Sequence, residues 1–256
     1  MPNAKFANFK SAKIKVEFDA GRFPRKRIGV VLLAMEQITD SECYKIIPEG
    51  IGIHFSRVRM PSAVTVENLR QAGEYLPEAA ALMVPDLHLD VIGYGCTSGS
   101  ICITEEYAKS QLLKRGNVEK ATTMVTGVIN ALRALNAKRI AIATPYLDEV
   151  NREEGIYLES RGFEVVNMQG MNLVEDFDIA RVSPGFIKRF AKSVDVPEAD
   201  AVFISCGALR SAEIAEELEA EIHKPVVTSN QAFIWDLLRT AGVEDKIKGY
   251  GRLFLL

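Results

Sequence analysis

The sequence is poor in the residues that metal sites and membrane spans require. Its 256 residues include only four cysteines, three histidines and one tryptophan. The cysteines form no CxxC pair and the histidines are scattered, which argues against a structural zinc site. No apolar run approaches the roughly 18 residues that a membrane-spanning helix needs, and the start lacks the apolar core of a signal peptide. We therefore expect a cytoplasmic protein with no metal and no membrane contact.

Basic and acidic residues are nearly balanced, with 31 Lys and Arg against 34 Asp and Glu. The formal net charge is -3, the pI is about 5.8, and 48% of the residues are hydrophobic. With no long basic stripe, nothing predicts a nucleic-acid surface. The first 27 residues are locally basic, from Lys5 to Arg27, and they fit either a disordered arm or an interface strand. The composition is that of a globular protein, and the length suits one large or two small domains.

Three segments recur in the same order, which indicates two similar halves. KRIGVV from Lys26 matches KRIAIA from Lys138, and LDVIGYGC ending at Cys96 matches ADAVFISC ending at Cys206. A third pair, TTMVTGVINALRALNA from Thr122 and VTSNQAFIWDLLRTAG from Val227, suggests that the last helix belongs with the first half. The offsets are 112, 110 and 105 residues. We therefore predict one domain from residues 1–122 plus 228–256, and a second from residues 123–227.

Each half alternates short apolar runs with helical patterns, which predicts a parallel α/β sheet in each. The predicted strands are 28–33, 52–58, 91–95, 140–143, 163–168 and 201–205. The predicted helices are 66–82, 105–114, 125–135, 148–161, 184–192, 212–222 and 231–240.

Two cysteines end matching strands, Cys96 in the first half and Cys206 in the second. Ligands of parallel α/β sheets bind at the carboxyl ends of the strands, so a pseudo-two-fold would bring both thiols to one cleft. Thr97, Ser98, Gly207 and Ala208 are small enough for backbone N–H groups to approach an anion such as a carboxylate. The following helix N-termini would favour a thiolate. Cys43 and Cys102 lack this context, and we interpret them as structural.

The motifs GYGCTSGS, ATPYLDEVN, ISCGALR, KPVVTSNQAFIW and GYGRLF together resemble the aspartate/glutamate racemase superfamily. The similarity is to its maleate cis-trans isomerase and arylmalonate decarboxylase branch, which includes racemase- or isomerase-like proteins of ectoine-utilisation operons. It covers about residues 26 to 254.

The resemblance implies two Rossmann-like domains, an active site between them, no cofactor and a homodimer or homotetramer. In maleate isomerases one cysteine adds to the double bond and the other handles a proton. In the decarboxylases only the second cysteine remains, as the proton donor. This chain keeps both, which favours an isomerase or racemase. By motif, Thr97, Ser98 and Tyr146 would bind a substrate carboxylate, with backbone N–H groups near Gly207.

The chain departs from the maleate isomerase pattern at two positions. The first strand runs into Leu33-Ala34-Met35-Glu36, where that family has a carboxylate-binding asparagine, and a second asparagine position maps near Glu175-Asp176. A wall with apolar and acidic residues would suit a cationic or apolar substrate group better than a second carboxylate. Alternatively, these acidic residues are solvated loop charges. Arg210 could pair with a carboxylate or face solvent.

The sequence thus predicts a cofactor-independent isomerase or racemase of a small carboxylate, with Cys96 and Cys206 as the reacting groups. A decarboxylase of substituted malonates and a non-catalytic carboxylate-binding protein remain the alternatives.

Overall fold

Two parallel sheets form the framework of the chain in the computed structural model, which describes residues 6–256. The predicted basic segment begins at Lys5, outside the described residues. The strands are β1 (Lys26–Leu33), β2 (Ile51–Val58), β3 (Val91–Tyr94), β4 (Ala121–Thr123), β5 (Arg139–Thr144), β6 (Glu164–Gly170), β7 (Ala201–Ile204) and β8 (Val226–Thr228). Their orders are β2-β1-β3-β4 and β6-β5-β7-β8, and every pairing is parallel. The same order in both sheets confirms the two similar halves.

Eleven α-helices of the described chain connect and cover these strands. They are α1 (Thr39–Ile46), α2 (Val66–Ala72), α3 (Leu76–Ala81), α4 (Thr97–Ile103), α5 (Glu105–Leu113), α6 (Met124–Ala134), α7 (Asp148–Ser160), α8 (Asp176–Ala180), α9 (Pro184–Val194), α10 (Ala215–Ile222) and α11 (Ser229–Thr240). Within residues 6–256, none of the helices combines the length and the apolar character needed to cross a bilayer.

The central strands are buried because helices cover both faces of each sheet. Every residue of β3 and of β7 is buried, which explains why these strands are continuous apolar runs rather than alternating ones. The six predicted strands and seven predicted helical regions are confirmed, although a short 3-10 turn divides the predicted helix 66–82. The prediction missed β4, β8, α1, α4 and α8, all of eight residues or fewer.

The third repeat forms a strand, a capping threonine and a helix in both halves. Thr123 accepts the N–H of Thr126 at the start of α6, and Thr228 accepts the N–H of Gln231 at the start of α11. The two helices pack on each other, and α11 also contacts β3 and β4 of the first sheet and β8 of the second. The predicted boundaries at 122/123 and 227/228 fall within β4 and β8. The division into two domains stays a prediction.

The contact between α6 and α11 depends on the absence of a side chain at Gly127. A Cβ there would lie 2.8 Å from the carbonyl oxygen of Ala232 and 3.0 Å from the Cα of Phe233. Both are backbone atoms, so the helices themselves would have to separate. We expect Gly127→Ala to lower the free energy of unfolding by about 1–3 kcal/mol, measured by urea denaturation.

The matched control is Gly155→Ala on α7, where the added Cβ would meet the nearest atom, Met168 Cε, at an ordinary 3.6 Å. This change should leave stability unchanged or raise it by up to about 1 kcal/mol, because alanine is the better helix former. Equal effects of the two substitutions would contradict the close approach of α6 and α11.

The N-terminal arm is exposed from residue 6 to residue 22 and contributes little to this framework there. Residues 9–25 form neither helix nor strand, and the side chains of Ile14, Val16 and Phe18 are exposed. Neither interpretation of this segment is tested by the structure, and the homo-oligomer stays a prediction as well.

Candidate active site

A cavity of about 20 Å³ lies between the two sheets, at the carboxyl ends of their strands. The two cysteines Cys96 and Cys206 line it together with seven other predicted site residues: Glu36, Thr97, Ser98, Tyr146, Asp176, Gly207 and Ala208. Leu33, Val64 and Gly95 also line it. The cavity has room for about one water molecule, so a substrate can enter only if the surrounding loops move apart.

The topology explains why these residues converge. In each sheet the chain order reverses between two central strands, β1 and β3 in the first sheet and β5 and β7 in the second. Such switch points leave a crevice beyond the strand ends, where ligands of α/β proteins bind. The loops after all four strands contribute to the cavity. The loops after β2 and β6 close it, since the N–H of Val64 donates to the carbonyl of Val174 at 2.9 Å and the N–H of Asp176 to that of Ser62 at 3.1 Å.

Cys96 caps the N-terminus of α4 with its sulfur. The Sγ atom accepts the N–H of Gly99 at 3.2 Å, and the Ser98 hydroxyl lies 3.8 Å away. A Cβ on residue 99 would lie 2.9 Å from this sulfur and 2.5 Å from the hydroxyl oxygen of Tyr94. The glycine in the GCTSGS motif therefore lets the backbone N–H approach the thiol.

Cys206 has a backbone conformation that non-glycine residues rarely adopt. Its φ is +96°, in the left-handed region, and such strain is typical of functional sites that the surrounding structure holds in place. Its N–H donates to the Ser229 hydroxyl oxygen at 3.0 Å. The Thr97 hydroxyl donates to the same oxygen at 2.8 Å. Ser229 thus links the two cysteine loops.

Because of this link, the Thr97 hydroxyl has no free proton to donate to a ligand. Its hydroxyl proton is used within the protein, on Ser229, so binding of a carboxylate by that hydroxyl remains a prediction. Sequence reasoning missed Ser229 because it aligns with Met124 in the internal repeat. Its place in the VTSNQ segment, directly after β8, was the available signal.

The TPYLDEVN motif holds Tyr146 in the cavity wall. The N–H of Tyr146 donates to Thr144 Oγ1 at 3.2 Å, and its carbonyl accepts from the Asn151 amide at 3.3 Å. Thr144 in turn donates to Asn151 Oδ1 at 2.5 Å. The Tyr146 hydroxyl interacts with Cys206 and lowers the pKa of that thiol, although burial raises the pKa overall.

The electrostatics of the thiols differ from the sequence-based expectation of a thiolate. Burial raises the pKa of Cys96 to about 12, against the lowering effect of the Gly99 N–H and the Ser98 hydroxyl. Burial, together with the charge of Asp176, raises the pKa of Cys206 well above its ordinary value. The two residues are only 8% and 6% exposed. Loss of hydration outweighs the helix N-terminus, so both thiols are protonated at neutral pH.

Glu36 and Asp176 are buried in the cavity wall, and not solvated loop charges. They are 4% and 3% exposed, and burial raises their pKa values to about 7 and about 6. Glu36 Oε1 accepts the N–H groups of Ile38 and Thr39 at 2.7 and 2.8 Å. Glu36 Oε2 and Asp176 Oδ2 have no hydrogen-bond partner.

The remaining predicted residues occupy different places. The Gly207 carbonyl accepts the Asn230 amide at 2.7 Å, which fixes the loop after Cys206. Arg210 is not among the cavity-lining residues, and its guanidinium donates to the Val182 carbonyl at 3.2 Å. Cys43 is fully buried and Cys102 half-buried, both outside the cavity. Across residues 6–256, no three His, Cys, Asp or Glu side chains converge as a metal site.

The fold and the site define a class of protein. It consists of α/β proteins with two parallel-sheet halves, each of which presents one thiol to a shared cavity. The chain belongs to the arylmalonate decarboxylase family, whose model matches residues 75–254. The resemblance inferred from the cysteine motifs is thereby confirmed.

The chain is similar to relatives that have two different activities. The arylmalonate decarboxylase of Bordetella bronchiseptica is 35% identical over 139 residues, which span 52% of this chain and 57% of that protein. The maleate isomerase of Nocardia farcinica is 25% identical over 244 residues, 89% of this chain and 95% of that protein.

A solved structure of the same fold carries a covalent adduct. It is a cysteine-to-serine variant of the Nocardia farcinica maleate cis-trans isomerase with a covalently bound succinylcysteine intermediate. Its TM-score to this chain is 0.82, with 23% identity, covering 90% of this chain and 98% of that one. This likeness establishes the fold, with two Rossmann-like halves.

Proposed function

We propose that this protein is a cofactor-independent isomerase or racemase of a small carboxylate, with Cys96 and Cys206 as its two catalytic residues. The observation that carries the proposal is the pair of buried thiols, one from each half, in one small cavity. A non-catalytic binding protein would need the small loops but not both thiols. The cysteine adduct in the related isomerase supports direct participation of a thiol.

The chemistry that two thiols offer is proton transfer on both faces of one carbon. In a racemisation, one thiolate takes the α-proton, and the C–H electron pair moves into the adjacent carboxylate as an enediolate. The second thiol then donates its proton to the opposite face. Backbone N–H groups near Gly99 and Ala208, which already lower the thiol pKa values, would stabilise the developing negative charge.

In a cis-trans isomerisation the same groups act on a double bond. The thiolate sulfur forms a bond to one alkene carbon, and the electron pair of the double bond passes to the other carbon, which the second thiol protonates. Rotation about the resulting single bond and reversal of both steps give the trans alkene and restore the thiols. Each route needs one deprotonated cysteine and one protonated cysteine.

Decarboxylation is the second candidate, and the protonated state of the thiols favours it. Loss of CO₂ from a substituted malonate leaves an enediolate, which needs one proton donor and no base. A thiol that burial keeps protonated, as in Cys206, is such a donor. Membership of the arylmalonate decarboxylase family gives the same indication.

The test is incubation of the protein in D₂O with panels of small dicarboxylates, chiral substituted carboxylates and arylmalonates, followed by NMR. A racemase or isomerase should exchange the α-proton for deuterium or convert the alkene, with no CO₂ released. A decarboxylase should release CO₂ and place one deuterium in the product. Ligand binding without exchange, conversion or CO₂ release would contradict an enzymatic role.

A further inference from the structure

Two buried oxygens, on residues that line the cavity, have no hydrogen-bond partner in the protein. They are Oε2 of Glu36 and Oδ2 of Asp176, on side chains 4% and 3% exposed. Nearly all buried polar groups in folded proteins are hydrogen-bonded, so an exception needs an explanation. Both residues line the same cavity, and the charge of Asp176 contributes to the raised pKa of Glu36. A ligand group that meets both oxygens would supply the missing partner.

No positively charged side chain of the described residues is available at the cavity as that partner. Among the described residues that line it there is no Lys, Arg or His. The Arg57 guanidinium is bound to the carboxylate of Asp40 at 2.7 Å and to the carbonyls of Leu33 and Glu36. A substrate with two carboxylates would therefore bring a second negative charge to two acidic side chains with no compensating cation.

The cysteine loops, on another part of the lining, present hydrogen-bond donors. The loops after β3 and β7 offer backbone N–H groups, as the interactions of Gly99 and Ala208 with the two thiols show. These donors suit a carboxylate, whereas the carboxyl oxygens of Glu36 and Asp176 are hydrogen-bond acceptors when ionised. The cavity thus has a donor side and an acceptor side.

We propose that Glu36 and Asp176 bind a protonated amine of the substrate, so that the substrate class is a small amino-carboxylate rather than a dicarboxylate. The inference rests on the proposed function and deepens it. The carboxylate of such a substrate binds at the cysteine loops, and its ammonium donates to Glu36 Oε2 and Asp176 Oδ2. Charge-assisted hydrogen bonds of this kind are among the stronger ones.

The same ammonium would promote the chemistry. The negative charge of Asp176 is one cause of the raised pKa of Cys206. A bound cation beside Asp176 offsets that charge and lowers the pKa of the thiol. Substrate binding would thereby make the thiolate that an isomerase or racemase needs easier to form, against the larger effect of burial.

The test compares binding of three four-carbon probes, 2-aminobutyrate, butyrate and maleate, by calorimetry or ligand-observed NMR. We expect 2-aminobutyrate to bind about tenfold or more tightly than either other probe. Glu36→Gln and Asp176→Asn should each remove about tenfold of that preference and improve maleate binding, while butyrate binding stays unchanged. Both substitutions keep an acceptor oxygen, and circular dichroism confirms that each variant is folded.

The matched control is Glu175→Gln, next to Asp176. Glu175 is half-buried, accepts the Ser62 hydroxyl and does not line the cavity, so its replacement should leave all three affinities unchanged. Tighter binding of maleate than of 2-aminobutyrate by the unmodified protein would overturn the proposal. So would no binding of any probe, or an equal loss of all three in the Glu36 and Asp176 variants.

Failure of this inference is distinguishable from failure of the proposed function, because binding is measured without turnover. Amine preference with no proton exchange on any carboxylate would retain the ammonium site and overturn the enzymatic role. Exchange or conversion of dicarboxylates alone would retain the enzyme and overturn the ammonium site.

Discussion

Replacing Cys206 by serine should lower kcat/KM by about 10²–10⁴-fold, the usual contribution of one positioned proton-transfer group. A serine hydroxyl is a far weaker acid than a thiol and is not deprotonated in this buried site. The affinity for substrate should change little, because the serine preserves the loop and the N–H contact with Ser229. Steady-state kinetics and calorimetry with the substrate found in the NMR panel give the two quantities.

Cys96→Ser decides which reaction is catalysed. Racemisation and cis-trans isomerisation need both thiols, so this variant should lose turnover as completely as Cys206→Ser. In a racemase, each variant would still exchange the α-proton of one enantiomer, on the face of the remaining thiol. Decarboxylation needs only one donor, so loss of activity in one of the two variants alone would contradict the isomerase or racemase.

Cys102→Ser is the matched control for both variants. Cys102 is half-buried on α4, close in sequence to Cys96, yet it does not line the cavity. Its replacement should leave kcat/KM unchanged. A loss equal to that of Cys96→Ser would show that the effect comes from disturbing α4 and not from removing a catalytic thiol.

The buried carboxyl of Glu154 should make the protein less stable as pH rises from 5 to 9. Glu154 is 1% exposed; its Oε1 accepts the Ser205 hydroxyl at 2.7 Å, and its Oε2 has no partner. Burial raises its pKa from 4.5 to about 7. The folded state therefore holds this proton more tightly than the unfolded chain, and the stability it contributes is full below pH 4.5 and is lost as pH rises through about 7.

Glu154→Gln isolates this contribution, because the amide oxygen can still accept from Ser205. At pH 5 the variant should match the unmodified protein. At pH 9 it should be more stable by about 3 kcal/mol, the value of a pKa difference of this size. Urea denaturation at pH 5, 7 and 9 measures both curves.

The control for this series is Glu159→Gln, an exposed residue on the same helix. It should not change the pH dependence. Glu42, whose pKa burial raises to about 8, adds to the same downward trend in all variants. A Glu154→Gln curve parallel to that of the unmodified protein would contradict a buried, titrating Glu154.

Much of the fold was predictable because apolar runs and repeats are local properties of the chain. The elements that escaped prediction are short or unfavourable in isolation. The α4 sequence TSGSICI is rich in residues of low helix propensity, and it forms a helix where the Cys96 sulfur caps it and buried neighbours surround it. The strands β4 and β8 have three residues each, too few for a periodic pattern.

Part of the candidate site was predictable for the same reason, and part was not. The internal repeat alone placed Cys96 and Cys206 at equivalent strand ends, since parallel strands of equal order carry their carboxyl ends to the same edge. It also placed the small residues around them. Ser229 and Glu154 reach the cysteine loops from other elements, which no local pattern can indicate.

The class of fold, the two halves and the identity of the paired thiols therefore follow from local patterns of the chain. The tertiary structure decided their chemical state. A helix N-terminus favours a thiolate, whereas burial keeps both thiols protonated. It also decided that Glu36 and Asp176 are cavity walls and not loop charges. Hydration is a property of the folded whole, because only packing from every side determines which charged groups lose their water.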